Sequence, residues 1–333
     1  MVKQRLGSDQ HPGDNAGTVF RVPDEPRPID ARALFVRHWS LLRAAVLRHS
    51  RQGVLLVPIH AELGPVGELW LEASLDRTRA ATLGRHSQCD LVLPGESTAL
   101  RQLMVMVRAV DLREARVRVI DLQSGVPLVD EAGRSLAAVT ADAPLFLRSQ
   151  DVTLVALRTP EPGGWPDDPE VAYRTLPERV FVDDRPHLVR TPRGPQLAHL
   201  GPAQAPAATY VRSMIGPLSL TDQLCRRGAT PVGLLSVRTP TSELNHQLDA
   251  HALDRGVLIG RYERCQLDLG TDLPGLSRVH LLLVKDGDQV LAIDTASTNG
   301  THHDGHAVRA LALPDRAQLT LDSSVVVTWT RAR

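Results

Sequence analysis

The string Gly-Arg-x-x-x-Cys-x-Leu-x-Leu occurs twice in this chain, at 84–93 and 260–269, a separation of 176 residues. A second pair, Ile120-Asp121-x-x-Ser124 and Ile293-Asp294-x-x-Ser297, repeats at a separation of 173. The separation changes by three, which reads as one loop of different length between the two blocks. A repeat unit of about 100 residues is too large for a solenoid and indicates a duplicated domain. Whatever fold the first unit adopts, the second must adopt too, and each must bury its own core.

Both units read as β. Short apolar runs bounded by Gly, Asp, Asn and Ser are strands joined by turns. The clearest in the first unit are 53–59, 67–72, 79–83, 103–110, 115–120 and 152–157; in the second they are 233–237, 257–259, 280–285, 289–293 and 324–329. Strands at this spacing predict all-β sandwiches. Aromatic residues make up 3% of the chain, so Leu, Val, Ile and Ala must fill the cores.

Residues 1–30 carry Gly, Pro and charge without periodicity and read as a disordered tail. Asp30 is placed to cap a helix from Ala31 to about His49. Leu34, Leu41, Leu42, Ala45 and Val46 share one face of it, which favours packing on the domain that follows over a membrane-surface helix anchored by Phe35 and Trp39. The first unit is thus 31–158. Residues 159–215 contain ten prolines, a density that breaks ladders and helices, and read as a linker. A short helix near Ser219–Arg227 opens the second unit, 216–333.

Three polar clusters mark strand ends in the second unit: Gly260-Arg261, Ser277-Arg278-Val279-His280, and Ser297-Thr298-Asn299-Gly300. Loops at one end of a sandwich converge, which gathers two guanidiniums, a hydroxyl and an amide on one surface. Arg binds phosphate through its planar fork. The order G-R … S-R-x-H … S-T-N-G-T resembles the signature of forkhead-associated (FHA) domains, β-sandwiches whose loops bind phosphothreonine peptides. The resemblance implies a phosphothreonine site on Arg261, Ser277, Arg278, Thr298 and Asn299. Asn299 would hold the peptide backbone, and Gly260, His280 and Gly300 would shape the loops. Through the repeat, the resemblance extends to both units.

The first copy departs from the pattern. At a shift of 176, Arg101-Gln102-Leu103-Met104 stands opposite Ser277–His280, and a residue or two of sliding recovers no Ser-Arg-x-His. Ser124-Gly125-Val126-Pro127 stands opposite Ser297–Gly300, and Pro127 cannot take the backbone of a Gly. The first copy is expected to keep the fold and lose phosphothreonine binding in the usual mode, with Arg85 and Arg101 left to attract an anion weakly. It then serves as a phosphate-independent interaction surface, the reading we favour, or packs on the second copy or on another molecule in a homo-oligomer.

The remaining features fit this frame. Formal net charge is zero, which offers nothing to nucleic acid. No apolar run reaches the roughly 20 residues of a membrane span, and the N-terminus lacks the apolar core of a signal peptide, so a soluble cytoplasmic protein is expected. Basic residues are Arg except Lys3 and Lys285, the bias of a GC-rich bacterial genome. Cys89 and Cys265 read as small core residues, and Cys225 as part of the short helix. His302-His303-Asp304-Gly305-His306 reads as a hairpin around Asp304-Gly305 rather than a metal cluster, since adjacent strand side chains face opposite ways. No nucleophile motif, P-loop or kinase signature is present, so an enzyme is not expected, and neither is a cofactor. The reading is a phosphothreonine-dependent adaptor in Ser/Thr kinase signalling, whose partner is a phosphothreonine-bearing protein, either the kinase or its substrate. The alternative is a structural scaffold that uses both sandwiches constitutively. Thr159, Thr175 and Thr191 are linker threonines; one of them, if phosphorylated, would be a ligand for the second unit in cis or in a neighbouring molecule.

Overall fold

A computed structural model describes residues 28–160, 164–177, 181–186, 188–191, 194–197 and 224–332. Most of the tail expected at 1–30 and much of the linker, including the side chain of Thr191, lie outside these residues.

The two units are β-sandwiches of matching plan. In the first, Arg79–Gly84, Leu103–Ala109, Ala115–Asp121 and Ser135–Asp142 lie side by side and antiparallel, and the two-residue strand Leu91–Val92 runs parallel to Arg79–Gly84. In the second, Val257–Gly260, Leu281–Asp286, Gln289–Asp294 and Ala310–Ala312 repeat this arrangement, with Leu267–Asp268 parallel to Val257–Gly260. Across each sandwich, other strands complete the core: Gly53–His60, Val152–Thr159 and Leu145–Ser149 in the first, and Pro231–Arg238, Val325–Arg331 and Arg316–Asp322 in the second. Strands such as Ser135–Asp142 and Glu243–Asp249 are not evident in the sequence. The polar residues within Glu243–Asp249, an edge strand, mask its alternation.

Several strands are apolar at every position because they are buried on both faces. Side chains alternate across a strand, so Leu103, Val105 and Val107 fill the first sandwich's own core while Met104 and Met106 point away from it. Likewise Leu281 and Leu283 fill the second core, and Leu282 and Val284 point outward. The two outward faces meet. Met104, Met106, Ile120 and Leu122 pack with Leu258, Val279, Leu282, Val284, Leu291 and Ile293 in one buried cluster. Around it, Arg118 Nη1 donates to the Lys285 carbonyl at 2.9 Å, Arg108 pairs with Asp286 at 3.5 Å, and Arg309 pairs with Asp90 at 2.5 Å. The first sandwich is therefore not a free-standing interaction surface on this face. It is packed against the second sandwich, for the physical reason that its strands carry apolar residues on both sides.

The helix expected over Ala31–His49 forms as two segments, Ala31–Arg37 and Trp39–Leu47, that meet at His38; the Asp30 carboxylate caps the first by accepting from Ala33 N at 2.8 Å. It packs on the first sandwich through most of the expected face, widened to take in Phe35 and Trp39 and without Leu41. Phe35, Trp39, Leu42, Ala45 and Val46 are buried against Leu55, Val57, Phe146 and Leu157, whereas Leu41 is exposed. Part of the proline-rich stretch joins this cluster. Asp168 caps a helix, Pro169–Thr175, whose first position is the proline, a place where a missing N–H costs nothing. Trp165 lies 5.0 Å from Trp39 and 5.5 Å from Phe35, ring centre to ring centre. Residues 181–186 add a strand to Ser135–Asp142. Residues 164–176 are thus docked on the first sandwich. Thr159 is fully buried, its hydroxyl accepting from Trp70 Nε1 at 2.8 Å and donating to Arg51 O at 3.0 Å, so it is no accessible phosphorylation site in this fold. Leu224–Gly228, at the end of the expected short helix, form bends and a turn, and the start of that helix lies outside the described residues. No helix among the described residues is long and apolar enough to cross a membrane.

Candidate functional site

The site begins with a close backbone approach. Gly260 ends its strand against the loop before Leu281, and a β-carbon there would lie 2.8 Å from the Arg278 carbonyl carbon and 3.0 Å from the Ser277 oxygen. Only glycine permits this without displacement. The chain then turns so that Arg261 N donates to Ser277 O at 3.2 Å and Arg261 Nε to Leu276 O at 2.7 Å. One edge of the Arg261 guanidinium is thereby fixed, and the residue lines a concavity of about 220 Å³.

His280 anchors the second loop. It is fully buried; Nδ1 accepts from Ser277 N at 3.2 Å and Nε2 pairs with Gly300 O at 3.2 Å. A ring that accepts on Nδ1 and faces a carbonyl with Nε2 is the neutral tautomer with its proton on Nε2. Burial holds the imidazole below the ordinary histidine pKa, against the opposing pull of Asp294. The same ring thus ties the Ser277 loop to the Gly300 loop. Asp294 shapes the latter by accepting from Ser297 N at 2.8 Å, Ser297 Oγ at 2.5 Å and Thr301 Oγ1 at 2.8 Å. Gly300 takes a positive φ of 76°, open to glycine and closed to proline.

The residues named by sequence come together. Arg261, Ser277, Arg278, Thr298 and Asn299 all line the one concavity. Ser277 is buried, with its hydroxyl accepting from Thr298 N at 3.0 Å. Asn299 is exposed and its Nδ2 donates to Gly275 O at 2.8 Å. Arg278 is exposed and pairs with no carboxylate among the described residues; nor does Arg261. Uncompensated guanidiniums around a hydroxyl and an amide favour an anion.

The corresponding corner of the first sandwich differs in both register and occupancy. Arg85 N donates to Ala99 O at 3.0 Å and Arg85 Nε to Thr98 O at 3.1 Å, and Cys89 Sγ meets Leu100 O as Cys265 Sγ meets Arg278 O. These bonds equate Ala99, Leu100, Arg101 and Gln102 with Ser277, Arg278, Val279 and His280. The shift at this loop is therefore 178, not 176, and two loops differ in length rather than one. The loop after Leu269 is two residues longer than its counterpart after Leu93, and the segment between Asp286 and Gln289 is five residues shorter than its counterpart between Arg108 and Arg116. Ser277 and Arg278 are thus replaced by Ala99 and Leu100. Gln102 takes the tethering role of His280 by donating to Ser124 Oγ at 2.8 Å and Ser149 Oγ at 2.9 Å. The Arg264 guanidinium of the second sandwich lies over Gly125, where a β-carbon would come within 3.0 Å of its Cζ. Burial pushes the nearby Asp121 carboxyl up to about 7, with the Ser124 hydrogen bonds and Arg264 pulling the other way. The Arg264 side chain thus covers the loop of this copy that corresponds to Ser297–Gly300.

Both repeat cysteines are buried, and burial pushes their thiols up to about 11 for Cys89 and about 12 for Cys265. His303 and His306 flank a two-residue turn in which Asp304 and Gly305 both have positive φ, as a tight hairpin requires.

The concavity also has a wall absent from the sequence reading. His86, Leu100 and Arg101 of the first sandwich line it. Pairing Arg101 with Ser277 by a constant shift hides this, because the two-residue loop difference becomes visible only in the backbone hydrogen bonds.

Residues 257–322 match the family model of the FHA domain. No curated protein matches the chain. Among solved structures, the chain is similar to the first FHA domain of Mycobacterium tuberculosis Rv1747, at 26% identity over 31% of this chain and all of that one, with a TM-score of 0.25. It is similar to the FhaA FHA domain complexed with the intracellular domain of Rv3910, at 28% identity over 28% of this chain and 98% of that one, with a TM-score of 0.24. It is also similar to the FHA domain of CT664 from Chlamydia trachomatis, at 18% identity over 30% of this chain and 98% of that one, with a TM-score of 0.27.

Proposed function

We infer, from a chain that carries an FHA domain at residues 257–322 and an FHA-like sandwich before it, that the protein is a phosphothreonine-dependent adaptor in Ser/Thr kinase signalling. The family is a binding module, and recognition rather than catalysis is the reading for this chain. One observation carries it: Arg261 and Arg278, neither paired with a carboxylate among the described residues, share a single concavity with Ser277, Thr298 and Asn299. A phosphate bears about −1.5 to −2 charges at pH 7, and charge-assisted hydrogen bonds from two guanidiniums offset its desolvation. Asn299, at the open rim, fixes the peptide's register.

The alternative, a constitutive scaffold using both sandwiches, gives no role to two arginines held without counter-charge. The test is capture by the full chain from degenerate phosphothreonine, phosphoserine and unphosphorylated peptide pools, beside Arg261→Ala. Selective capture of phosphothreonine peptides, lost in the variant, supports the adaptor. Equal capture from all pools supports the scaffold.

A further inference from the structure

We propose that the phosphothreonine site is composite, and that Arg101 of the first, degenerate sandwich is its third cation. This rests on the phosphothreonine reading of the second sandwich and adds a subsite that the second sandwich lacks by itself.

Arg101 stands where the second copy has Val279, an apolar contact of the cluster between the sandwiches. It is only 7% exposed and crosses that boundary. Nε donates to the Ala296 carbonyl at 2.9 Å, and Nη2 donates to the same oxygen at 2.5 Å and to Ser277 Oγ at 3.4 Å. One side chain of the first sandwich therefore grips both ligand-facing loops of the second: the serine itself, and the residue preceding Ser297-Thr298-Asn299. Ala296 is a non-glycine residue at a φ of 60°, an uncommon conformation, and the bidentate contact falls on its carbonyl.

A buried guanidinium is costly unless paired. Arg101 pairs with no carboxylate among the described residues, and its Nη1 has no hydrogen-bond partner among them. It lines the same concavity as Arg261 and Arg278. The Asp294 carboxylate lies near enough to favour its charge, and Arg278 near enough to oppose it. Three like charges line one space, none of them ion-paired with a carboxylate among the described residues, and a dianion that enters it matches them. The interface contrast is informative. Arg118 also donates across the boundary, to Lys285 O, but it does not line the concavity. An arginine serving only to staple the sandwiches has no reason to face the ligand. The first copy thus gave up its own site and became a wall of its neighbour's.

The test uses the full chain and the degenerate phosphothreonine peptide pool, with affinity measured for wild type, Arg101→Met, Arg101→Lys, Arg118→Met and Arg261→Ala. Arg101→Met is expected to weaken binding tenfold or more, Arg101→Lys to weaken it threefold or more but less than the Met variant, and Arg118→Met to stay within twofold of wild type. If Arg101→Met does not fold, Arg101→Lys carries the test, and an unchanged affinity overturns the proposal. Wild-type affinity in Arg101→Met, with binding lost in Arg261→Ala, refutes the composite site and leaves the phosphothreonine reading standing. An equal loss in Arg118→Met assigns the effect to interface packing and also refutes it. A wild-type chain that does not distinguish phosphorylated from unphosphorylated pools removes both.

Discussion

Gly260 packs against the backbone of Arg278, with room for a hydrogen but not for a β-carbon, which would lie 2.8 Å from the Arg278 carbonyl carbon. Gly84 stands in the same relation to the first copy's loop, 2.9 Å from Arg101 Cα by the same measure. The contact sets the height of the arginine loop over the strand end. Gly260→Ala is expected to push the two apart, cost about 1–3 kcal/mol as overpacking does, and weaken phosphopeptide binding well beyond its effect on stability. Thermal melting and peptide titration of the same preparation check this.

The fold was readable because period and punctuation agree. The runs at Leu103–Val107 and Leu281–Val284 read as strands, and their unbroken apolarity also carried the sign of burial on both faces, which the structure resolves as contact between the sandwiches. The five residues that line the concavity were readable because they sit in short strings at strand ends. Arg101 was not. Its role depends on a two-residue loop difference and on how two domains meet, and neither leaves a local pattern. The docked helix Pro169–Thr175 was hidden by the prolines around it, one of which starts it.

Neutral His280 is required by its bonds, since a proton on Nδ1 would face the Ser277 N–H. Its folded pKa is depressed, chiefly by burial, so the unfolded chain binds the proton more readily. Stability from this residue is then complete above the ordinary histidine value of about 6.5 and is lost as pH falls below it. His280→Gln, which copies Gln102 of the first sandwich, should flatten that loss. Denaturant midpoints at pH 7.5 and 5.0 check the difference between the two slopes.

Arg261 and Arg278 should separate binding from stability. Arg278 is exposed and its side chain makes no hydrogen bond to protein among the described residues, whereas Arg261 Nε holds the Leu276 carbonyl at 2.7 Å. Arg278→Ala should leave the melting temperature within a degree or so and cost about 1.5–3 kcal/mol in phosphopeptide affinity, the worth of a charged hydrogen bond. Arg261→Ala should cost comparable affinity and also lower the melting temperature. Paired calorimetry and titration check the contrast.

The cluster between the sandwiches couples their unfolding. Met104 and Leu282 are both fully buried within it. The full chain should melt in one transition, and Leu282→Ala should destabilise it by about 2–5 kcal/mol, as buried leucine truncations do. Two separated transitions in the wild type, or a truncation that shifts only part of the melting curve, would show that the sandwiches fold independently. Scanning calorimetry of both proteins reads this directly.

Phosphate dependence is the centre of the account. A single phosphothreonine peptide recovered from the pool, labelled and titrated with the full chain before and after phosphatase treatment, measures it on one molecule. The account predicts saturable binding that falls at least a hundredfold on dephosphorylation, and a fall of roughly ten- to a hundredfold for the intact phosphopeptide with Arg278→Ala, the same charged hydrogen bond as above. Binding that survives phosphatase, or that Arg278→Ala leaves unchanged, would contradict it.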